Sequence, residues 1–446
     1  MIPVITPAQM AAIDSEAAEP REELIDRAAR AVAREAVRML GGVYGRRAAV
    51  VVGPGTNGSD GRVAARHLQR RGVRVQVFEV ADPPELIDSV DLVIDAAFGT
   101  GLSRPYSFPG VEPGVAVLAV DIPSGVDGLT GEVRGAPAIA NRTITFAAMK
   151  PGLLLEPGRS YCGDVVVADI GLDVSRASVF AVDHADLVAW VRARPADDHK
   201  WRTAVRVIGA SLGMEGAGYL AAAAAQRVGA GLVQLASPGG AASAGPVEAV
   251  GYSLPATGWG VEAAGNVDRL QAVLLGPGLG RDDLASIHDV LAVNLPLVID
   301  GDALVPSLMT VLSARLAPTV LTPHDGEWRR LGGDPSPDRI SATIDMARST
   351  GAVVVRKGPT TVVASPGGDA RIVSAGTRAL ATAGTGDVLA GLVVGLLAQG
   401  IDAFDAATAA AQIHAEVAAT VSAGLVAHDL VDGLPHVLAQ IGETRS

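Results

Sequence analysis

Short, uninterrupted apolar runs recur along this chain, each followed by a glycine-bearing loop and then a helical stretch. No other feature limits its possible folds as strongly. Runs at 48–52, 73–80, 91–96, 115–120, 143–147 and 164–170 read as strands. The stretches 21–40 and 60–71 carry apolar residues at helical spacing, and 21–40 has an acidic start. A second series follows. It has a strand at 205–208, an alanine-rich helix at 216–228, strands at 232–236, 272–275, 297–300, 320–322 and 352–356, then long helices. Strands without polar alternation, spaced by helices, predict parallel sheets covered on both faces. The pattern weakens over 173–198, where 185–191 reads as a short helix and Arg194-Pro195-Ala196-Asp197-Asp198 as a linker. A chain of 446 residues is too long for one ordinary core. The expectation is two α/β domains, 1–195 and 196–446.

Composition narrows the partners. Hydrophobic residues make up 49% and charged residues 19%, which excludes a disordered chain. The net charge is −12 and no long basic run occurs, so neither nucleic acid nor an anionic membrane is an expected partner. An anionic small molecule remains open, because loop N–H groups bind phosphate without net positive charge. Cys162 is the only cysteine, which excludes an intrachain disulfide and a cysteine zinc cluster. The run 388–397 is far short of a bilayer span, and Gln412, His414 and Glu416 interrupt 406–425, which reads as a buried or amphipathic helix. With no basic-then-apolar N-terminus, the expected location is cytoplasmic. Of 36 Lys plus Arg, only Lys150, Lys200 and Lys357 are lysines. Against that arginine background each lysine either marks a need for a compact ammonium or is chance.

Ala381-Thr382-Ala383-Gly384-Thr385-Gly386-Asp387 is the most telling motif. A tight turn there offers backbone N–H groups at a helix start, where a phosphate sits well. Asp387 stands beside that place and could take the proton of a hydroxyl that attacks the phosphoryl group. Taken alone, the motif is more simply a glycine-rich helix start. Four further loops of the same kind stand upstream: 209–218, 276–280, 300–304 and Leu321-Thr322-Pro323-His324-Asp325-Gly326-Glu327. Lys357-Gly358-Pro359-Thr360-Thr361 is a fifth. His324 alone would read as a turn histidine, but its loop favours a site.

In the first half, Gly53-Pro54-Gly55-Thr56-Asn57-Gly58 satisfies a dinucleotide fingerprint, with Glu79 at a plausible distance for a ribose contact. Asp60 argues against hydride-transfer use, because it puts a carboxylate where pyrophosphate would approach. Two more strands lead into Asp95-Ala96-Ala97-Phe98-Gly99-Thr100-Gly101-Leu102 and Asp121-Ile122-Pro123-Ser124-Gly125. Each loop alone could be an ordinary turn. Three of them at strand carboxyl ends make one convergent pocket.

Together these loops, with Thr145-Phe146-Ala147 leading to Lys150-Pro151-Gly152, resemble the NAD(P)H-hydrate epimerases. The family's Asn-Asn-Gly-Gly-Asp-Gly reads Thr56-Asn57-Gly58-Ser59-Asp60-Gly61 here. The second series resembles the ADP/ATP-dependent NAD(P)H-hydrate dehydratases. The combination resembles the bifunctional NAD(P)H-hydrate repair enzymes over nearly the whole chain. The resemblance implies a Rossmann-like three-layer α/β/α domain followed by a ribokinase-like α/β domain. It implies that Thr56, Asn57, Gly58, Ser59, Asp60, Gly99, Thr100, Gly101, Leu102, Arg104 and Asp121 contact hydrated NADH or NADPH. Asn57, Asp95 and Ser124 would hold a potassium ion. In the second domain Gly280, His324 and Asp387 would contact the hydrated nucleotide. Lys357, Gly358, Pro359, Thr360, Thr361, Ala383, Gly384, Thr385 and Gly386 would contact ADP or ATP, with magnesium. Bacterial members favour ADP, and relatives assemble as homo-oligomers.

Asp387 is the expected base for dehydration. Asp121 is the first candidate for acid–base work in epimerisation and Asp60 the second. Lys150 reads equally well as part of the site or as closing its Pro-Gly turn. The chain departs from the family's His-Lys-Gly start at His199-Lys200-Trp201-Arg202-Thr203-Ala204, a stretch expected on one wall of the pocket. Two alternatives stay open. The second domain could be a small-molecule kinase of the ribokinase-like type, and the first a nucleotide-binding module without catalysis.

Overall fold

The computed structural model describes residues 1–102, 104–192, 194–240, 245–421 and 423–444. Ser103, inside the expected substrate loop, and Ser422, inside the apolar run 406–425, lie outside the described residues. The chain divides into two compact units, Ile2–Phe180 and one that begins at Ala181. The junction therefore falls earlier than the expected linker. The reason is burial: Val182, Leu187, Trp190 and Val191 all enter the core of the second unit. Among the described residues no helix is long and apolar enough to cross a membrane.

The first unit opens with helix α1 (Pro7–Glu16), which the sequence reading did not find. Thr6 accepts from Gln9 N through Oγ1, the Gln9 side chain accepts from Thr6 N, and Pro7 stands at the first helical position. Helix α2 (Arg21–Leu40) has Glu22 and Glu23 in its first turn, Arg38 in its last, and Gly41 closing it at φ +64°. Strands β1 (Arg47–Val52), β2 (Arg74–Glu79), β3 (Leu92–Ala96), β4 (Ala116–Val120), β5 (Arg142–Phe146) and β6 (Asp164–Ala168) form one sheet. They run parallel in the order β6-β5-β4-β3-β1-β2. Alternate residues of the buried strands face opposite ways. Val50, Val52 and Ile94 pack on α2 and on α3 (Thr56–Arg70). Ala49, Val51, Val93 and Ala119 pack on Ile87, Phe108 and Ala140, which belong to extended segments and short turns. Helix α3 begins at Thr56, four residues before the expected start, so the expected substrate loop is in fact the helix's first turn.

In the second unit, helix α4 (His184–Trp190) precedes strands β7 (Ala204–Ile208), β8 (Leu232–Pro238), β9 (Val250–Leu254), β10 (Ala272–Leu275), β11 (Leu297–Ile299) and β12 (Thr319–Leu321). Strands β13 (Val353–Arg356), β14 (Thr361–Ala364) and β15 (Ala370–Val373) complete the series. The order is β9-β8-β7-β10-β11-β12-β13-β14-β15. Pairing is parallel as far as β13, and the last two strands add antiparallel. Helix α5 (Glu215–Val228) supplies Ala221, Ala222, Ala224 and Ala225 to the core. Helices α6 (Asp325–Arg330) and α7 (Arg339–Thr350) follow β12. Helices α8 (Thr385–Leu397), α9 (Ala403–Thr420) and α10 (Ala427–Glu443) end the unit. Helix α8 is buried from Val388 to Leu397, as its unbroken apolar sequence requires. Its Gly391 lets α5 approach closely: a Cβ there would stand 2.2 Å from the Ala221 carbonyl oxygen.

Candidate active sites

In the first unit the strand order reverses between β1 and β3, so the crevice at their carboxyl ends is where this sheet receives a ligand. A cavity of about 660 Å³ lies there, lined by Thr56, Asn57, Asp60, Gly99, Thr100, Gly101, Leu102, Asp121 and Lys150. The structure thus brings together most of the expected substrate residues. Gly58, Ser59 and Arg104 do not line it. A Cβ at Gly58 would meet the Gly53 carbonyl oxygen at 1.9 Å, so Gly58 is fixed by chain packing. Ser59 Oγ turns back to Gly55 O at 3.4 Å. Glu79 is taken up by Arg62 at 2.5 Å and plays no part in the cavity.

Asp121 sits at φ +69°, an unusual backbone setting for a residue with a side chain. Surrounding contacts hold it there. Lys150 Nζ stands 2.9 Å from its Oδ1, Thr145 Oγ1 donates to the same oxygen at 3.2 Å, and Thr100 N donates to Oδ2 at 3.3 Å. Burial pushes its carboxyl up, but Lys150 and these donors outweigh burial and hold it below the ordinary value. Lys150 is 2% exposed and also donates to Thr145 Oγ1 at 2.7 Å and Phe146 O at 3.0 Å. Asp60 has the opposite environment. Burial, reinforced by Asp121 and Asp14, pushes its carboxyl up to about 8, and its Oδ1 has no partner. Two carboxyl groups at one cavity are thus set to opposite protonation states near neutral pH. Asp14 on α1 and Arg21 on α2, which donates to Thr56 Oγ1 at 2.7 Å, complete the wall. The sequence reading missed both; the Thr6-Pro7-x-Gln9 cap was the signal for the helix that carries Asp14.

Asp95 is fully buried and is held only by neutral donors. Ala97 N donates to it at 3.2 Å, Ser124 N at 2.8 Å and Ser124 Oγ at 2.5 Å. Burial raises its carboxyl to about 6. Among the described residues no cation pairs with it. Asn57, 8% exposed, has neither side-chain atom partnered.

In the second unit the order reverses between β7 and β10. Their two loops interlock: Ala210 N donates to Pro277 O, Ser211 N to Gly278 O, and Ser211 Oγ to Leu279 O at 2.7 Å. Loops after β11, β12 and β13 stand at the same edge. Lys357 Nζ lies 2.8 Å from Asp300 Oδ1 and 3.7 Å from Glu327 Oε2. Thr322 Oγ1 donates to Asp300 Oδ1 at 2.6 Å. Gly384, at φ +88°, turns the chain into α8, and Asp387 occupies the third helical position. A Cβ at Gly386 would come within 3.1 Å of Lys357 Nζ, so the ammonium lies against the helix start. Burial raises the Asp387 carboxyl to about 7, with Asp300, Glu327 and Asp302 adding to it and Lys357 opposing. Burial alone would lower Lys357, but Asp300, Glu327 and Asp387 outweigh it and the ammonium is held above its ordinary value.

His324 caps α6. Its Nδ1 accepts from Gly326 N at 2.9 Å and Glu327 N at 3.2 Å, and its Nε2 lies 3.4 Å from Glu327 Oε1. Gly280, at φ +78°, donates through its N–H to Asp302 at 3.1 Å. Thr360 is buried, while Gly358, Pro359 and Ala383 are exposed. The stretch from Trp201 to Ala204 is not on this wall. It meets the amino end of β7, where Thr203 Oγ1 accepts from Gly231 N at 2.8 Å, while the loops gather at the carboxyl end. His414 of α9 was read only as interrupting an apolar run. It is buried and bonds Thr385 O at 2.8 Å through Nε2, directly under the turn.

Comparison with known proteins agrees with this geometry. The family described as NAD(P)H-hydrate dehydratase matches residues 205–436. The family described as YjeF-related protein N-terminus matches 21–90 and 83–152. The bifunctional NAD(P)H-hydrate repair enzyme Nnr of Mycobacterium tuberculosis is 38% identical, covering 84% of each chain. That of Moorella thermoacetica is 34% identical, covering 99% of this chain and 97% of the other. The solved ADP/ATP-dependent NAD(P)H-hydrate dehydratase of Bacillus subtilis, co-crystallised with ATP and Mg2+, is 28% identical with a TM-score of 0.52. It covers 58% of this chain and 97% of its own. The chain belongs to the bifunctional NAD(P)H-hydrate repair enzymes, with an epimerase unit followed by a dehydratase unit.

Proposed function

We propose that Asp121 and Asp60 carry the epimerisation and that Asp387 carries the dehydration. The hydrated ring carbon bears a hydroxyl and the ring nitrogen. Breaking the carbon–nitrogen bond opens the ring to an aldehyde, and closing it on the other face inverts the carbon, so the opening needs a base for the hydroxyl proton and an acid for the departing nitrogen. Asp121, kept ionised by Lys150, is the base, and Asp60, kept protonated by burial, is the acid. Asn57, Asp95 and Ser124 would hold potassium. What supports this is a buried Asp95 that, among the described residues, meets only neutral donors, and a buried Asn57 whose side-chain atoms have no partner. When bound, the ion supplies a fixed positive charge that neutralises Asp95 and steadies the loop after β3.

In the second unit ADP or ATP donates the phosphoryl group. Asp387 takes the proton of the ring hydroxyl as its oxygen attacks phosphorus. The nucleotide leaves with one phosphate fewer, the new ester's C–O bond breaks with its electron pair going to the phosphate, and the neighbouring ring carbon gives its proton to that phosphate, restoring the nicotinamide double bond. Lys357 and the N–H groups of Gly384, Thr385 and Gly386 stabilise charge on the transferring group. Among the described residues no group of three or more His, Cys, Asp or Glu can hold a metal alone. Magnesium would accompany the nucleotide phosphates here. The single observation that carries the reading is the raised Asp387 at the α8 start, facing the Lys357–Asp300 pair. Incubating mixed epimers of hydrated NADH with ADP or ATP and magnesium, and following the return of reduced-nicotinamide absorbance, tests it. Recovery of both epimers is expected, and no recovery with either donor would overturn it. We assign the cytoplasm as the compartment, where NADH and NADPH are held and a lone buried thiol such as Cys162 stays reduced.

A further inference from the structure

Arg339, the first residue of α7, was absent from the sequence reading and bonds none of the side chains assigned above to chemistry. Its guanidinium nevertheless joins two of the loops that carry them. Nη1 donates to Asp325 Oδ1 at 2.9 Å, on the residue that follows His324. Nη2 donates to Lys357 O at 2.6 Å and to Arg356 O at 3.2 Å. Asp338 caps the helix through a bond from Ser341 N at 3.0 Å, which fixes where Arg339 projects. Arg356, stacked over Trp328 at 4.2 Å, donates to the same Asp325 oxygen at 3.3 Å. The turn itself is shaped for the guanidinium: a Cβ at Gly358 would stand 2.5 Å from Arg339 Nη2. Between these two loops the main chain adds a direct bond, Lys357 N to Pro323 O at 2.9 Å.

We propose that Arg339 is a positioning residue of the phosphoryl-transfer site, fastening the turn that carries Lys357 to the helix start that carries His324. It thereby sets where the Lys357 ammonium stands relative to Asp300, Glu327 and Asp387. A lysine cannot replace it, because one ammonium cannot span Asp325 and two carbonyl oxygens in a fixed fork. This rests on the reading of Lys357 and Asp387 given above. The groups that face Asp387 and Lys357 are Asp300, Asp302, Glu327 and, from α9, the buried His414.

The test measures nucleotide-dependent dehydration of hydrated NADH by the full chain as a function of pH. The proteins are wild type, Arg339→Met, Arg339→Lys, Lys357→Met and Arg339→Met/Lys357→Met. A loosened Lys357 relieves Asp387 less, so both Arg339 variants should move the acid limb to higher pH and lower kcat at least tenfold. The lysine variant keeps the charge, so its shift reports geometry, and it carries the test if Arg339→Met does not fold. The double variant should lie no higher than Lys357→Met alone, because both act through one ammonium. An acid limb unmoved in Arg339→Lys, or full additivity in the double variant, would overturn the proposal. A wild type without nucleotide-dependent dehydration would instead remove the phosphoryl-transfer reading, and the proposal with it.

Discussion

Burial raises the carboxyls of both Asp387 and Asp60, and each shift makes a prediction. With its carboxyl near 7, Asp387 is half ionised at neutral pH, and only the ionised form can take a proton. The kcat/KM for dehydration should therefore rise with pH through about 7, and Lys357→Met should move that rise upward because the opposing charge is gone. Asp387→Asn should lower dehydration by at least about 1,000-fold and leave epimerisation intact. Asp60 gives a stability prediction. Its folded value of about 8 lies above the ordinary 3.8, so its stabilising protonated form is complete at acid pH and is lost as pH rises toward 8. Asp60→Asn should stabilise the chain against urea, by on the order of 1 kcal/mol for each pH unit between about 4 and 8, with no further gain above. A gain independent of pH would contradict the assigned environment.

The elements were legible where the sequence carried period and punctuation. The fully buried strands and α2 stand out because parallel strands read as unbroken apolar runs and α2 has an acidic start and a glycine stop. The expected start of α3 was late because Gly58 and Gly61 look like loop residues. In the structure they are helical glycines required by contact: a Cβ at Gly61 would stand 2.5 Å from Ala96 Cβ. Helix α7 and the β14–β15 hairpin went unread, although Asp338 caps α7 and Gly351 closes it. Asp387, Lys357 and Asp121 were singled out from motif, while Arg339 and His414 were not. Their role comes from long-range contacts, such as the bond between His414 and Thr385 O, that no local pattern announces. Packing between elements gives its own prediction. Gly391→Ala would drive a methyl into the Ala221 carbonyl at 2.2 Å. It should destabilise the second unit by about 1–3 kcal/mol or more, read as a lower urea midpoint.

Across the whole molecule, two α/β units each place glycine loops at the carboxyl ends of parallel strands, on either side of a reversal in strand order. The first holds a pair of carboxyl groups driven apart in protonation. The second holds a carboxylate and an ammonium at a helix start. The two chemistries complete one task, since a dehydratase selective for one epimer leaves the other stranded unless an epimerase feeds it. The most direct measurement is the recovery of reduced-nicotinamide absorbance from a mixed-epimer preparation of hydrated NADH, with ADP or ATP and magnesium, by wild type, Asp121→Asn and Asp387→Asn. Wild type should recover all of it. Asp121→Asn should recover one epimer promptly and the rest only at the uncatalysed rate. Asp387→Asn should recover none while still equilibrating the epimers. Full, prompt recovery by Asp387→Asn would contradict the central claim that this carboxylate starts the phosphoryl transfer.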